Sequence, residues 1–271
     1  MDPGIRPINI AALRQQYLAA KPFPFIKIDN FLHDDFAAEI VASYPTYEEA
    51  KTLGREFSAV NERLKVQITD SGRFPAPVKR LHEALSSPQF LAAVEQITGI
   101  EALLADEKLV GGGMHLTGPG GRLDVHVDFN YEEERKLHRR LNILLYLNPE
   151  WPDDWGGAIE LWDEGVRNRV HAFQPLLNRC VLFETSETSY HGVSPNVCPQ
   201  GQVRRSFAGY YYTKEPPARW DGIAHSTVFK ARPDELIRGA VLMPAEKARR
   251  SMQSGINKAK QFVKNIVGTD K

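Results

Sequence analysis

The sequence predicts an α+β protein whose core is an antiparallel double sheet or barrel. Seven short β-rich segments follow one another between about residue 108 and residue 213. The residues between them are the Gly, Pro, Asn and Asp that turns require. Helical patterns lie before and after this region and do not alternate with the strands, which disfavours a doubly wound parallel sheet. At 271 residues the chain can hold one such domain with extensions.

The first hundred residues are predicted to be mainly helical. Residues 8–20 and 34–44 have apolar residues at helical spacing, and residues 23–28 have an extended pattern. A further helix is expected after Ser87, a suitable N-cap, with Pro88 in its first turn and Gly99 as its stop. Residues 46–77 are polar and poorly periodic, and they predict a long irregular loop of the kind that often covers a binding site.

The last part of the chain is Pro-rich and polar at first and then returns to a helical pattern. Residues 245–265 predict a basic helix, which either caps the core or docks on an acidic partner or an anionic surface. The expected organisation is a domain over 1–213, with helical support in 1–105 and a β core in 106–213. A C-terminal helical extension is expected over 214–271.

Composition excludes several classes of protein. Lys+Arg and Asp+Glu number 34 each, so neither a nucleic-acid partner nor a membrane surface is expected. The chain has no apolar run of the roughly 20 residues that span a bilayer and no apolar N-terminal signal, which predicts a cytoplasmic protein. Cys180, expected to be buried, and Cys198, expected in a loop, are too few for a disulfide scaffold or a four-thiolate zinc site. Any metal site must therefore use His and carboxylate.

The segment RLDVHVDFN carries the first candidate metal ligands. His126 and Asp128 are one residue apart on an extended segment, so their side chains share a face. His191 follows at the end of another β-rich run, where a purely structural histidine is the alternative. Two neutral imidazoles and one carboxylate bind one face of an octahedral ion and leave three positions open, as in non-haem Fe(II) oxygenases.

A basic pair begins the last β-rich run, RRSFAGYYYT. Arg204 shares one face of the predicted strand with Ser206, and Arg205 shares the other with Phe207. An arginine beside the metal is suited to the distal carboxylate of a dicarboxylic acid, because its guanidinium gives a bidentate fork and stays charged. One of the two arginines is expected to bind and the other to be solvated.

The segment from about residue 110 to residue 213 resembles the Fe(II)- and 2-oxoglutarate-dependent dioxygenases of the prolyl-4-hydroxylase-like branch. That family shows in order His-x-Asp, a strand ending in Tyr-Leu-Asn, an acidic turn with tryptophan, Gly-Gly, and a distal His followed by a basic residue. Here these appear as HVD, LLYLNPEWPDDWGGAIELWD, YHGVSP and RRSFAGYYY. The resemblance covers roughly a hundred residues and implies a double-stranded β-helix, or jelly-roll, core.

The resemblance also implies roles for individual residues. The iron ligands would be His126, Asp128 and His191. The residues that would contact 2-oxoglutarate are Arg204, Ser206, Tyr146 and Asn142. Arg204 is selected over Arg205 because family members carry an aromatic residue six positions beyond the binding arginine, here Tyr210. His115, on the preceding strand, is a candidate to line the pocket.

The activity implied is hydroxylation of an unactivated C–H bond with Fe(II), 2-oxoglutarate and O2, releasing succinate and CO2. Related iron halogenases replace the carboxylate by Gly or Ala, whereas this chain keeps Asp128. Two alternatives stay open: a cupin-like metal enzyme that does not use 2-oxoglutarate, and a non-catalytic jelly-roll binding module. The substrate could be a prolyl residue, an amino acid, or a small-molecule or glycan group. Candidate substrate contacts, or else surface groups, are Tyr131, Arg135 and Arg139.

Overall fold

Five helices are present in the computed structural model, which describes residues 4–235 and 242–243. They are α1 (Ile10–Ala19), α2 (Asp34–Ser43), α3 (Tyr47–Leu53), α4 (Ala76–Ser86) and α5 (Pro88–Thr98). Each predicted helix of the first hundred residues is confirmed. The Ser87 side chain accepts a hydrogen bond from the Phe90 amide, and Gly99 ends α5 with a φ of 76°, a conformation that glycine adopts without strain.

The described residues contain thirteen strands in one antiparallel sheet. They are β1 (Phe25–Ile28), β2 (Arg55–Ser58), β3 (Glu62–Ile68), β4 (Leu104–Ala105), β5 (Gly113–Val127), β6 (Tyr131–Glu132), β7 (Leu137–Tyr146), β8 (Ile159–Trp162), β9 (Arg169–Phe173), β10 (Cys180–Glu184), β11 (His191–Val193), β12 (Arg204–Thr213) and β13 (Val228–Lys230). The main order is β1-β10-β7-β12-β5-β11-β8-β9. The antiparallel core predicted from the sequence is confirmed.

Strand β5 joins the two halves of this sheet. The first half contains β1, β10, β7 and β12, and the second contains β11, β8 and β9. Its first residues pair with β12, with Thr117 opposite Arg204, and its last residues pair with β11, with His126 opposite His191. The helices pack on the outer side of the first half, where Ile40, Leu81 and other buried side chains form the largest apolar cluster. Strand β5 therefore has its first residues on the helical side of the core and its last residues in the region between the two halves.

The prediction of an irregular loop over residues 46–77 is wrong. The segment begins with α3, whose N-terminus has a capping box between Thr46 and Glu49, and continues into a hairpin of β2 and β3. Strand β3 then pairs with β5. Strand β2 is mostly exposed, so its residues are mostly polar and show no apolar alternation. This alternation is the signal that would have indicated a strand in the sequence. The region 1–105 is therefore not only helical, since β1 and β3 extend the sheet from it.

Residues 214–235, called here the C-terminal strap, fold back over the core after β12. Strand β13 pairs with residues 125–127 of β5. The Arg232 guanidinium donates to Glu160 at 2.9 and 2.7 Å, and Arg122 donates to Glu235 at 2.7 Å. The basic helix predicted for residues 245–265 lies outside the described residues. Among the described helices, the structure contains none long and apolar enough to cross a membrane.

Helix α4 was not predicted, although its apolar spacing is visible in retrospect. Val78, Leu81 and Leu85 are buried on its inner face.

We expect Leu81→Ala to lower the free energy of unfolding by about 2–5 kcal/mol, because it leaves a cavity in a closely packed core. Leu18→Ala is the matched control, since Leu18 is 58% exposed. Chemical denaturation of both variants checks this, and equal effects would contradict it.

Candidate active site

A cavity of about 250 Å³ lies between the two halves of the sheet. Residues from β5, β7, β11 and β12 form its walls, and the β2–β3 hairpin contributes Phe57, Lys65 and Gln67. The C-terminal strap contributes Thr227 and Phe229. The segment predicted to cover a binding site does therefore line one, although as an ordered hairpin.

His126, Asp128 and His191 meet in this cavity. Their candidate ligand atoms all lie within 4.8 Å of one another. The direct pairing of β5 with β11 places the two histidines opposite each other, and Asp128 follows at the end of β5. One Asp128 oxygen lies 3.5 Å from Nε2 of His126, and the other lies 3.4 Å from Nε2 of His191. Both imidazoles are buried and the carboxylate is 11% exposed.

Backbone carbonyls orient both imidazoles. The Nδ1 atom of His126 lies 2.8 Å from the Asp124 carbonyl oxygen, and Nδ1 of His191 lies 2.9 Å from that of Ser189. In neutral imidazoles these contacts place the hydrogen on Nδ1 and leave the Nε2 lone pair facing Asp128. Two nitrogen lone pairs and a carboxylate then converge with no hydrogen between them. This donor set fits one divalent transition-metal ion.

Arg139 and Asn142 hold the carboxylate of Asp128. Oδ2 of Asp128 accepts a hydrogen bond from Asn142 Nδ2 at 2.8 Å and lies 3.0 Å from Nη2 of Arg139. The guanidinium also donates twice to Oδ1 of Asn142, at 3.0 and 2.8 Å. Burial acts to raise the pKa of Asp128, but the charge of Arg139 opposes burial, and the pKa lies well below its usual value. The carboxylate is therefore ionised.

The three candidate substrate contacts lie in different places. Arg139 is 2% exposed on its side chain and faces the cavity, so it is not a surface charge, and its guanidinium is committed to Asp128 and Asn142. Arg135 pairs with Glu132 and Asp106 instead, outside the cavity lining. Tyr131 stacks on Trp220 of the strap and is not part of the lining either.

Arg204 is the cation at the other end of the cavity. It is 4% exposed, its Nε donates to the Gly157 carbonyl at 2.6 Å, and its Nη1 lies 3.4 Å from the Ser206 hydroxyl. No carboxylate pairs with it in the described part of the chain. Arg205 is half-buried on the opposite face and outside the cavity lining. Of the two arginines, the structure thus places Arg204 in the cavity lining and Arg205 outside it.

Tyr146 lies beneath Arg204. The guanidinium carbon is 5.0 Å from the centre of the tyrosine ring. Burial raises the pKa of Tyr146 to about 12, and the adjacent guanidinium opposes that rise. Its hydroxyl is fully buried and, although Arg204 is beside it, has no hydrogen bond of acceptable geometry with the residues that the structure describes. Tyr146 is not among the residues that line the cavity, whereas Arg204 and Ser206 are. An arginine that lines a cavity without a carboxylate partner can bind an anionic ligand there.

His115 lines the same end of the cavity, as the sequence suggested. Its register position on β5 is opposite Ser206. Nε2 of His115 lies 3.0 Å from the Gln67 amide nitrogen and 3.1 Å from the Gly111 carbonyl oxygen. Burial, with Lys65 and Arg204 nearby, keeps the pKa of His115 well below its usual value. Gln67 could not be found from the sequence, because it reaches the site only through the pairing of β3 with β5.

We expect the metal-free protein to lose stability as the pH falls from about 6.5 to about 4. Burial first, and then His126, lower the pKa of His191 from 6.5 to about 4. The unfolded chain takes up that proton near pH 6.5 and the folded chain only near pH 4. Protonation between these two values favours the unfolded chain, so the folded state is less stable at pH 4 than above pH 6.5. Urea unfolding across the window measures it. His191→Gln should show a shallower slope, and an identical slope would contradict the assignment.

The fold and the site together define a class: an antiparallel jelly-roll protein with a two-histidine, one-carboxylate site for a metal ion. Residues 112–212 match the family model described as the 2OG-Fe(II) oxygenase superfamily. This match assigns the β core of the chain to the superfamily, and that segment is similar to the prolyl-4-hydroxylase-like branch. As the name states, the superfamily comprises oxygenases that use Fe(II) and 2-oxoglutarate.

Solved structures confirm the predicted double-stranded β-helix. A Pseudomonas putida prolyl-4-hydroxylase aligns with a TM-score of 0.54 at 19% identity, over 75% of this chain and 98% of that one. A Trichoplax adhaerens prolyl hydroxylase, solved with a peptide fragment of hypoxia inducible factor, aligns with a TM-score of 0.56 at 19% identity, over 76% and 89% of the two chains. At these identities the alignments establish the fold.

One curated relative matches over most of this chain. Prolyl 3-hydroxylase OGFOD1 from Xenopus laevis is 36% identical over 219 residues, which is 78% of this chain and 39% of the relative. The mouse protein of the same name is 36% identical over 78 residues, or 27% of this chain and 14% of the relative. The chain therefore spans at most about two fifths of the length of these curated relatives.

Proposed function

We propose that the chain is an Fe(II)- and 2-oxoglutarate-dependent oxygenase that hydroxylates an unactivated C–H bond and releases succinate and CO2. The observation that carries the proposal is the presence, in one cavity, of the His126, Asp128 and His191 group and of the buried Arg204. The first group suits a divalent iron ion and the second a dicarboxylic acid. The superfamily match supports both assignments.

In this proposal His126, Asp128 and His191 would hold the iron and leave coordination positions for 2-oxoglutarate and O2. The bound iron supplies the oxygen activation and the electron-transfer chemistry. Arg204 pairs with the distal carboxylate of 2-oxoglutarate, assisted by the Ser206 hydroxyl and the Tyr146 hydroxyl. Asn142, proposed from the sequence as a further cosubstrate contact, donates to Asp128 in the structure.

Part of the cavity wall is apolar and limits the access of water to this chemistry. Apolar side chains of Leu144, Ile159 and Phe183 line the cavity near the metal ligands. The Phe183 ring lies 4.7 Å from that of His191. A dry wall strengthens the attraction between Arg204 and a bound carboxylate, and it protects reactive species from side reactions.

For the substrate we propose a prolyl residue in a peptide. Four phenylalanines line the cavity together with the metal ligands: Phe57, Phe129, Phe183 and Phe229. Aromatic faces of this kind suit an apolar ring that carries no charge. The relatives whose names state a prolyl hydroxylase activity support this choice. A free amino acid or a small-molecule or glycan group is the second candidate, and the balanced charge of the chain gives no reason to propose nucleic acid.

A cytoplasmic location is a further part of the proposal. Cys180 and Cys198 are both unpaired and buried in the structure. Proteins of oxidising compartments commonly use cysteines in disulfides, so unpaired thiols support a reducing compartment. Cell fractionation with detection of the full-length protein tests this.

Anaerobic addition of Fe(II) and then 2-oxoglutarate to the metal-free protein tests the proposed function. The expected result is a weak visible charge-transfer band from the chelated 2-oxoacid, followed by succinate release on exposure to O2 with prolyl peptides. Iron binding without the band would favour a cupin-like enzyme that does not use 2-oxoglutarate. No iron binding at all would favour a non-catalytic binding module.

A further inference from the structure

Arg139 and Asn142 occupy one of the two oxygens of the metal-binding carboxylate. Both contact Oδ2 of Asp128, at 3.0 and 2.8 Å respectively. Their own contact, in which the guanidinium donates twice to the Asn142 oxygen, joins the two groups. Among the described residues, neither Arg139 nor Asn142 forms a hydrogen bond or ion pair with Oδ1 of Asp128. The side chains of Asp128, Asn142 and Arg139 therefore each contact the other two, and both contacts to Asp128 are made at Oδ2.

The position of the guanidinium is fixed from both sides. Its carbon lies 3.5 Å from the centre of the Tyr210 ring and 4.6 Å from that of the Phe129 ring. Arg139 is fully buried, so its only polar partners can be the groups that meet it inside the fold. The position of Arg139 in the sequence gives no indication of this arrangement, because the strand β7 brings it to the site from eleven residues beyond Asp128.

We propose that Arg139 and Asn142 are positioning residues that restrict Asp128 to one metal bond. A carboxylate can bind an ion through one oxygen or through both, and the second mode would fill one of the three open positions. Because Oδ2 accepts a hydrogen bond from Asn142 and forms an ion pair with Arg139, Oδ1 is the oxygen left available to the ion. The pair thus preserves the two positions that a chelating 2-oxoacid requires and the one that O2 requires. This inference rests on the proposed metal site.

Counting the waters on a bound ion tests the inference without any turnover. The probe is Mn(II) alone, added to the metal-free protein, with bound waters counted by pulsed electron paramagnetic resonance in H2O and D2O. Three protein ligands predict three waters on the wild-type site. In Arg139→Met the freed oxygen of Asp128 should replace one of them, so that two remain. The affinity of the Mn(II)-loaded variant for 2-oxoglutarate should fall by about 10–100-fold.

Asn142→Leu is the second variant, in case Arg139→Met does not fold. It keeps the cation near Asp128 but removes the 2.8 Å donor to Oδ2 and the acceptor that orients the guanidinium. It should also retain two waters. The matched control is Arg135→Met, in the same hairpin and stacked in a similar way over Tyr212, which should keep all three.

The outcomes separate this inference from the proposed function. A wild-type protein that binds no Mn(II) and no Fe(II) would overturn the metal site itself. A wild-type protein with three waters, together with folded variants of Arg139 and Asn142 that also have three, would overturn only the role given to these residues. A purely structural role would lower the thermal stability of the variants and leave the water count unchanged.

Discussion

Asp128→Ala should abolish Fe(II)-dependent succinate release and also destabilise the fold. Removal of a metal ligand should reduce activity by more than about 100-fold, since even loss of an outer-shell partner costs about 10–100-fold. The fold should lose about 3–5 kcal/mol, because the 2% exposed Arg139 side chain is left as a buried charge without its carboxylate. A succinate-release assay and urea unfolding measure the two effects.

The double variant Asp128→Ala/Arg139→Met separates these effects. Replacing both members of a buried ion pair by apolar groups is far less costly than removing one of them. The double variant should therefore regain most of the lost stability and still bind no iron. If it were as unstable as the single variant, the cost would not come from the uncompensated charge of Arg139.

Arg204→Met should weaken 2-oxoglutarate binding by about 30-fold or more, which corresponds to about 2 kcal/mol and upward for a buried charge pair. The reason is that Arg204 has no described carboxylate partner in the fold and lies in the cavity beside Ser206 and Tyr146. Iron binding should persist, since the arginine does not contact the three metal ligands. Titration of the charge-transfer band with 2-oxoglutarate gives the affinity.

Arg205→Met is the matched control for this prediction. Arg205 is the next residue on the same strand but faces away from the cavity, so its replacement should leave the affinity for 2-oxoglutarate unchanged. A larger effect from Arg205 than from Arg204 would reverse the assignment. Equal and small effects from both would show that the distal carboxylate is bound elsewhere.

The site residues that could be found from the sequence are those governed by strand alternation. His126 and Asp128 on one segment, and Arg204 with Ser206 on another, share a face because side chains alternate along a strand. The helix that follows Ser87 was likewise set by a local N-cap and a local glycine stop. In each case the signal lies within a few neighbouring residues.

What the sequence did not reveal depends on contacts between distant segments. Arg139 could be a surface charge or a substrate contact until the folded sheet places it beside Asp128. Gln67 and Phe57 reach the cavity only because an edge hairpin pairs with β5, and an exposed hairpin has little apolar alternation. Thr227 and Phe229 lie beyond the predicted core and reach it through a strand of three residues. No local pattern encodes such pairings.

The C-terminal strap covers one of the metal ligands, and the strap is synthesised after that ligand. The Phe229 ring lies 5.4 Å from the His126 ring, so this ligand is covered by a residue translated about a hundred positions later. While the ribosome is still adding that stretch, His126 and the edge of β5 lack this cover. A nascent chain stalled with β12 outside the exit tunnel and the strap still inside it should therefore exchange the backbone amides of residues 125–127 faster than the released protein does. The ligand strand acquires its final protection only when the strap has left the ribosome.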